Sequence, residues 1–264
     1  MTRFTHAIVR LPGSNFADGL TREDLGAPSL ARALEQHAAY CQALRDCGLA
    51  LTTLPADRAH PDGTFVEDAA ILLPEGAILT RPGADERLGE VAAVADALRA
   101  HYPTLACIEA PGTVDGGDIC EAGQHVFIGL SHRTNEAGAA QLARWLAGRG
   151  HSSSVVDVRA IGSILHLKSG MSWLGDGRLL VIGELATHPA FAGFEIVQTS
   201  ADEDYAANAV RVNDAVLIAS GFPRLQARLG ALGYRCLALA MGEYRKMDGG
   251  LSCLSLRFQG DAVA

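Results

Sequence analysis

Short apolar runs separated by turn residues recur along this chain, and they recur in pairs. FVEDAAILLPEGAILTRPG, from Phe65, reads as an acidic head, an apolar strand, a turn and a second apolar strand. The same order returns in TVDGGDICEAGQHVFIGLS from Thr113, LHLKSGMSWLGDGRLLVIGE from Leu165 and NAVRVNDAVLIASG from Asn208. A fifth copy starts in LSCLSLRF and is completed by the N-terminal FTHAIVRLPG. The turns PEG, EAGQ, GDG and ND suit hairpin connections. The head residues Asp68, Asp118, His166, Asn208 and Cys253 stand 50, 48, 42 and 45 positions apart, a period typical of propellers and solenoids.

Between the hairpins the apolar period lengthens to that of a helix. DERLGEVAAVADALRAHYP puts Leu88, Val91, Val94, Ala95 and Leu98 on one face, and Pro103 ends it. NEAGAAQLARWLAGRG does so with Leu142, Trp145 and Leu146, and SLARALEQHAAYCQALRDCG with Leu34, Ala38, Cys41 and Leu44. FPRLQARLGALGY is a shorter example. Each unit therefore reads as a hairpin, a helix and a return strand. No such unit buries its apolar faces alone, whereas five packed in a ring share a core. The expected fold is a five-bladed α/β propeller of ββαβ repeats forming one catalytic domain, residues 1–264. Its unit heads converge on the axis.

Composition narrows the function. The chain has 264 residues, 48% hydrophobic and 20% charged, with a net charge of −8, and no basic cluster suited to nucleic acid appears. No apolar stretch approaches the roughly 18 residues of a membrane span, and the first residues lack a secretory h-region. A cytoplasmic protein acting on a small molecule, as a monomer or homodimer, is expected. Six cysteines with no C-x-x-C pair argue against both a disulfide framework and a structural zinc site.

The head residues bring a thiol, an imidazole and several acids together. Cys253 with His166 and a carboxylate is the arrangement of an activated thiol nucleophile with a general acid/base, and Asp115 would orient the imidazole. Glu67 and Asp68 are surplus negative charge suited to a cation. Singly, each motif also has a structural reading: VED as a charged strand end, DGGD as a turn, His166 as a hydrogen-bonded structural histidine.

HAIVRLPGSNFADGL, FVEDAAILLPEGAILTRPG, TVDGGDICEAGQHVFIGLSHRTNEAG, LHLKS and MDGGLSC, in this order, resemble the dimethylarginine dimethylaminohydrolases of the guanidino-group-modifying superfamily. The resemblance covers nearly the whole chain. It implies the same five-bladed propeller and hydrolysis of Nω,Nω-dimethyl-L-arginine and Nω-monomethyl-L-arginine to citrulline plus dimethylamine or methylamine. By position it makes Cys253 the nucleophile, His166 the general acid/base and Asp115 its partner. Glu67 and Asp68 would hold the guanidinium, and Asp62 would lie near the α-amine. Arg87 and Arg133 would hold the α-carboxylate or order the site, and the carbonyls of Leu20 and Met247 would face the ammonium. Gly249-Gly250-Leu251-Ser252 is smaller than in vertebrate members, and Met247 stands where a branched aliphatic is common. No cofactor is implied; zinc would inhibit by binding Cys253 and His166. The alternatives are an arginine deiminase, another guanidine hydrolase on the same scaffold and a non-catalytic amino-acid-binding propeller.

Overall fold

The structure, a computed structural model, describes residues 3–260. Strand β1 (His6–Arg10) leads through a long loop into helix α1 (Leu30–Asp46) and back along β2 (Ala50–Leu54), parallel to β1 with His6 opposite Ala50. The next blade is the hairpin β3 (Ala70–Leu73) and β4 (Gly76–Leu79), helix α2 (Val91–Leu98), and β5 (Leu105–Cys107) parallel to β4. The third repeats this with β6 (Ile119–Ala122), β7 (His125–Leu130), α3 (Glu136–Ala147) and β8 (Ser152–Asp157). The fourth holds β9 (Met171–Gly175), β10 (Arg178–Val181) and β11 (Glu195–Gln198). The fifth holds β12 (Val210–Val212), β13 (Ala215–Ala219), α4 (Pro223–Ala231) and β14 (Arg235–Leu239). After the short α5 (Gly242–Arg245), β15 (Leu256–Phe258) pairs antiparallel with β1, so the two ends of the chain close one sheet. The fold is the five-bladed α/β propeller that the period predicts.

Strand alternation explains why the ring holds together. Successive strand residues face opposite sides, and here the two sides are the two neighbouring blades. Ala70 and Leu72 pack with Ile8 and Leu256, while Ile71 and Leu73 pack with Ile119, Val126 and Ile128. Cys120 and Phe127 meet Met171, Leu179 and Val181; Leu174 and Leu180 meet Val216 and Ile218; Val212 and Leu217 meet Ala7 and Val9. A core thus lies between every pair of adjacent blades, and the middle strands β4, β7, β10 and β13 carry apolar residues on both faces.

Two expectations need correction. The buried stripe of α1 is Ala33, His37, Tyr40, Cys41 and Leu44, whereas Leu34 and Ala38 face solvent. A histidine and a tyrosine occupy apolar contacts there, which shifts the face by one position from the aliphatic pattern. The fourth blade also lacks an α-helix. The chain crosses from β10 to β11 through the 3-10 turns Gly183–Leu185 and Pro189–Phe191, a connection that Pro189 and Gly193 interrupt.

Each blade begins with a 3-10 turn that carries or adjoins its head residue: Val66–Ala69, Gly116–Asp118, Leu167–Ser169, Ala201–Ala207 and Ser252–Leu254. Head side chains also tie blade to blade. Asp68 Oδ1 accepts from Gly117 N at 2.7 Å, Asp118 Oδ1 from Leu167 N at 2.9 Å, and Asn208 Oδ1 from Ser252 N at 2.9 Å. In each case an oxygen satisfies a backbone donor of the following turn. This is the local reason that short polar residues head the repeats, and it fixes the floor of the central cleft.

Candidate active site

Leu20, Asp62, Asp68, Arg87, Arg133, His166, Met247 and Cys253 line one small cleft at the centre of the ring. These are eight of the ten residues expected from the sequence. Asp115, the ninth, lies directly behind His166. Its Oδ2 is 3.0 Å from His166 Nε2, and its Oδ1 accepts from Gly83 N at 2.8 Å. Asp115 is fully buried, so the carboxylate is fixed on both sides.

Glu67, the tenth, is placed differently from expectation. It does not line the cleft, and both of its oxygens are occupied elsewhere. Oε2 accepts from Ser252 Oγ at 2.7 Å, and Oε1 from Lys168 Nζ at 2.7 Å and Arg257 NH2 at 3.4 Å. The reason is local: consecutive side chains in the 3-10 turn Val66–Ala69 diverge by about a third of a turn, so Glu67 and Asp68 cannot both look inward. Arg87 is also committed. Its guanidinium donates to Asp68 Oδ2 at 2.6 Å and to both oxygens of Glu90 at 3.0 and 2.8 Å. Two acids of the chain thus occupy its guanidinium. Arg133 differs: among the described residues its NH1 is buried without a hydrogen-bond partner, and it lies 3.8 Å from Asp115 Oδ2.

The electrostatics follow from these contacts. Burial works against the charge on His166, but Asp118, Asp68 and the hydrogen bond that the ring donates to Asp115 outweigh it and push its pKa up to about 9. Burial likewise works against the Asp68 carboxylate, and Arg87 and His166 overcome it, holding its pKa down to about 2. The Cys253 thiol has no comparable compensation. Burial, then the charges of Glu67 and Asp68, push its pKa up to about 12. Its sulfur accepts a hydrogen bond from Gly250 N at 3.4 Å. These shifts favour a neutral thiol and a charged imidazolium in the same cleft.

Cys253 reaches the cleft through a tightly packed loop. A Cβ at Gly249 would lie 2.4 Å from the Phe65 ring, and one at Gly250 would lie 2.5 Å from the Asn208 side chain. The small residues seen in the sequence are thus required by close approach, which tightens the loop. Tyr205 Oη anchors it by donating to Gly249 O at 2.8 Å. The N-terminal loop covers the other side. Leu20 N donates to Asp62 Oδ2 at 3.0 Å, Thr21 Oγ1 to Lys246 O at 2.9 Å, and Arg22 N to Asp248 Oδ2 at 2.6 Å.

Sequence reasoning missed Glu90, Ser252, Lys168 and Tyr205. Glu90 was legible in principle as an acid three positions after Arg87, the helical pairing distance. The other three act across blades, and no local spacing announces that. Among the described residues Asp68, Asp115 and His166 offer ligand atoms within 4.8 Å of one another, a group that could hold a metal ion but leaves Cys253 out. Arg87, Gly117 and Gly83 already satisfy its carboxylates. Of the remaining cysteines, Cys41, Cys47 and Cys120 are buried, Cys236 is half-buried and Cys107 exposed, all as free thiols.

A propeller whose central cleft gathers a thiol, an imidazole and carboxylates has the layout of a cysteine-dependent enzyme. A family model described as arginine deiminase matches residues 60–184. The N(G),N(G)-dimethylarginine dimethylaminohydrolase of Pseudomonas aeruginosa is 44% identical over 256 residues, covering 97% of this chain and all of that protein. A solved structure of the P. aeruginosa protein, a cysteine-to-serine variant complexed with citrulline, superposes with a TM-score of 0.94 at 44% identity, covering 97% of this chain and all of that one. Another, a histidine-to-glycine variant of a dimethylarginine dimethylaminohydrolase as an adduct with S-methyl-L-thiocitrulline, gives a TM-score of 0.93 at the same identity and coverage. The chain belongs to the N(G),N(G)-dimethylarginine dimethylaminohydrolase family.

Proposed function

We propose that this protein hydrolyses Nω,Nω-dimethyl-L-arginine and Nω-monomethyl-L-arginine to L-citrulline plus dimethylamine or methylamine, through a covalent thiouronium on Cys253. The observation that carries this reading is the convergence of Cys253, the His166–Asp115 pair and Asp68 on one cleft in a chain so close to the P. aeruginosa enzyme.

Asp68, held ionised by Arg87, faces the substrate guanidinium. Asp62 faces the α-amine, with the carbonyls of Leu20 and Met247 alongside, and Arg133 faces the α-carboxylate. A bound cation beside Cys253 offsets the negative charges that keep the thiol protonated, so the substrate itself promotes the thiolate. The thiolate attacks the guanidinium carbon, and His166, already charged, gives its proton to the departing amine. Left neutral, His166 then takes a proton from the water that attacks the same carbon, and collapse releases citrulline and the thiol. Asp115 holds the imidazole in position throughout. These steps use only this chain's side chains, the substrate and water.

The acceptors facing the guanidinium are few, since both oxygens of Asp68 already accept bonds from Gly117 and Arg87. A site that leaves N–H donors unrewarded loses little when methyls replace them, which favours the methylated substrates. Incubation with dimethylarginine and, separately, with arginine tests this directly. Citrulline and dimethylamine in equal amounts, at a kcat/KM above that for arginine, are expected. Ammonia release from arginine as the faster reaction would favour the second reading, an arginine deiminase, toward which the match over residues 60–184 points.

A further inference from the structure

We propose that Glu67 is a positioning residue that clamps the Cys253 turn to the His166 turn from behind the cleft. This rests on the assignment of those two residues as nucleophile and acid/base.

Chain neighbours in the head turns line two different cavities. Asp68, His166 and Cys253 line the cleft. Glu67, Lys168 and Ser252, each one or two residues away, line a separate cavity of about 450 Å³ on the other side of the floor. Glu67 therefore stands behind the site, and its two oxygens reach both turns. Ser252, next to Cys253, donates to Oε2 at 2.7 Å, and Lys168, two residues after His166, donates to Oε1 at 2.7 Å.

The tether is directional. Asn208 Nδ2 donates to Ser252 Oγ at 3.0 Å, so that hydroxyl has its own donor and must spend its proton on Glu67. Asn208 Nδ2 also reaches Lys168 O at 2.8 Å, a second tie between the same two turns. Glu67 is 3% exposed, and Lys168 and Arg257 both flank it. Charge-assisted bonds of this kind are short and geometrically strict. The carboxylate also acts on the thiol through space, opposing the thiolate. The clamp thus governs both where the sulfur sits and at what pH it ionises.

The test uses Ser252→Ala, which removes the tether without altering charge, and Glu67→Gln, which removes the charge while keeping the shape. Circular dichroism and thermal melts establish that each is folded; Ser252→Ala is the gentler change and stands if Glu67→Gln does not fold. For both, kcat toward dimethylarginine should fall by about 10- to 100-fold with KM nearly unchanged, the signature of misplaced reacting groups. Ser252→Thr, which keeps the hydroxyl, should recover most of the loss. The pH dependence of Cys253 alkylation by iodoacetamide, which needs no substrate, should move to lower pH in Glu67→Gln. Unchanged kcat and an unchanged alkylation profile in both variants would overturn the clamp. So would a rise in KM with kcat preserved, since that marks a substrate contact. A wild-type protein that makes no citrulline overturns the proposed reaction alone, and the alkylation profiles then decide the clamp by themselves.

Discussion

His166 Nε2 stands 3.0 Å from Asp115 Oδ2, and Asp115 has no exposure to solvent. A buried carboxylate on one ring nitrogen both orients the imidazole and stabilises its charged form. The charged form is the one that donates to a leaving amine. With the pKa of His166 up to about 9, kcat should hold through neutral pH and decline as pH rises past that value. Asp115→Asn keeps the shape and removes the charge, so it should lower kcat by about 100- to 10,000-fold. The alkaline limb of its kcat profile should also move to lower pH. A limb that stays in place in Asp115→Asn would show that another group controls it.

The thiol of Cys253 is pushed up to about 12 by burial and by Glu67 and Asp68, so the free protein should show almost no thiolate at pH 8. A cationic ligand that fills the cleft without reacting should raise ultraviolet thiolate absorbance at that pH, while a neutral ligand such as citrulline should not. Cys253→Ser should lose turnover yet still bind citrulline by calorimetry. If cation and citrulline leave the absorbance equally flat, substrate-assisted ionisation is wrong.

The repeat was readable because its physics is local. An apolar strand, a turn and a second strand recur at a fixed period, and closure through LSCLSLRF and FTHAIVRLPG follows once five units must share a core. The heads were readable as a set for the same reason. What stayed hidden was direction. VED places Glu67 and Asp68 side by side in the chain, but the 3-10 turn sends one to the cleft and the other behind it. The resemblance leaves Arg87 either to hold a carboxylate or to order the site, and no local spacing tells that Asp68 as well as Glu90 surrounds it. On α1 the aliphatic pattern misled because Tyr40, whose hydroxyl pairs with Ser255 at 2.6 Å, serves as core.

Arg87 should carry a large share of local stability. It is buried and neutralises two buried acids, Asp68 and Glu90. Arg87→Met would leave both uncompensated, at a cost of about 3–5 kcal/mol in denaturant unfolding at pH 7. The pH dependence has a definite sign. Asp68 is lowered from 3.8 to about 2, so its contribution is present above 3.8 and is lost as pH falls toward 2. Stability differences between wild type and variant should therefore shrink over that window. A constant difference from pH 7 to pH 2 would mean that the pair acts through packing alone.

The N-terminal loop should open for substrate to enter. The free space in the cleft is about 20 Å³, room for about one water molecule and far less than an amino acid. The cover over it is held by three exchangeable contacts, from Leu20 N to Asp62, Thr21 Oγ1 to Lys246 O, and Arg22 N to Asp248. Two of these partners flank Met247 on the cleft wall, so one segment can both hold the loop and sense the ligand. Hydrogen exchange at residues 19–24 should be fast in the free protein and slow several-fold with citrulline bound. Asp248→Ala removes one pin and should speed exchange there in the free protein. It should raise KM more than it lowers kcat, because the contact closes the site without touching the reacting carbon. Equal exchange in the free and bound states would mean that entry runs by another route, and the contacts to Lys246 and Asp248 would then be fixed parts of the wall.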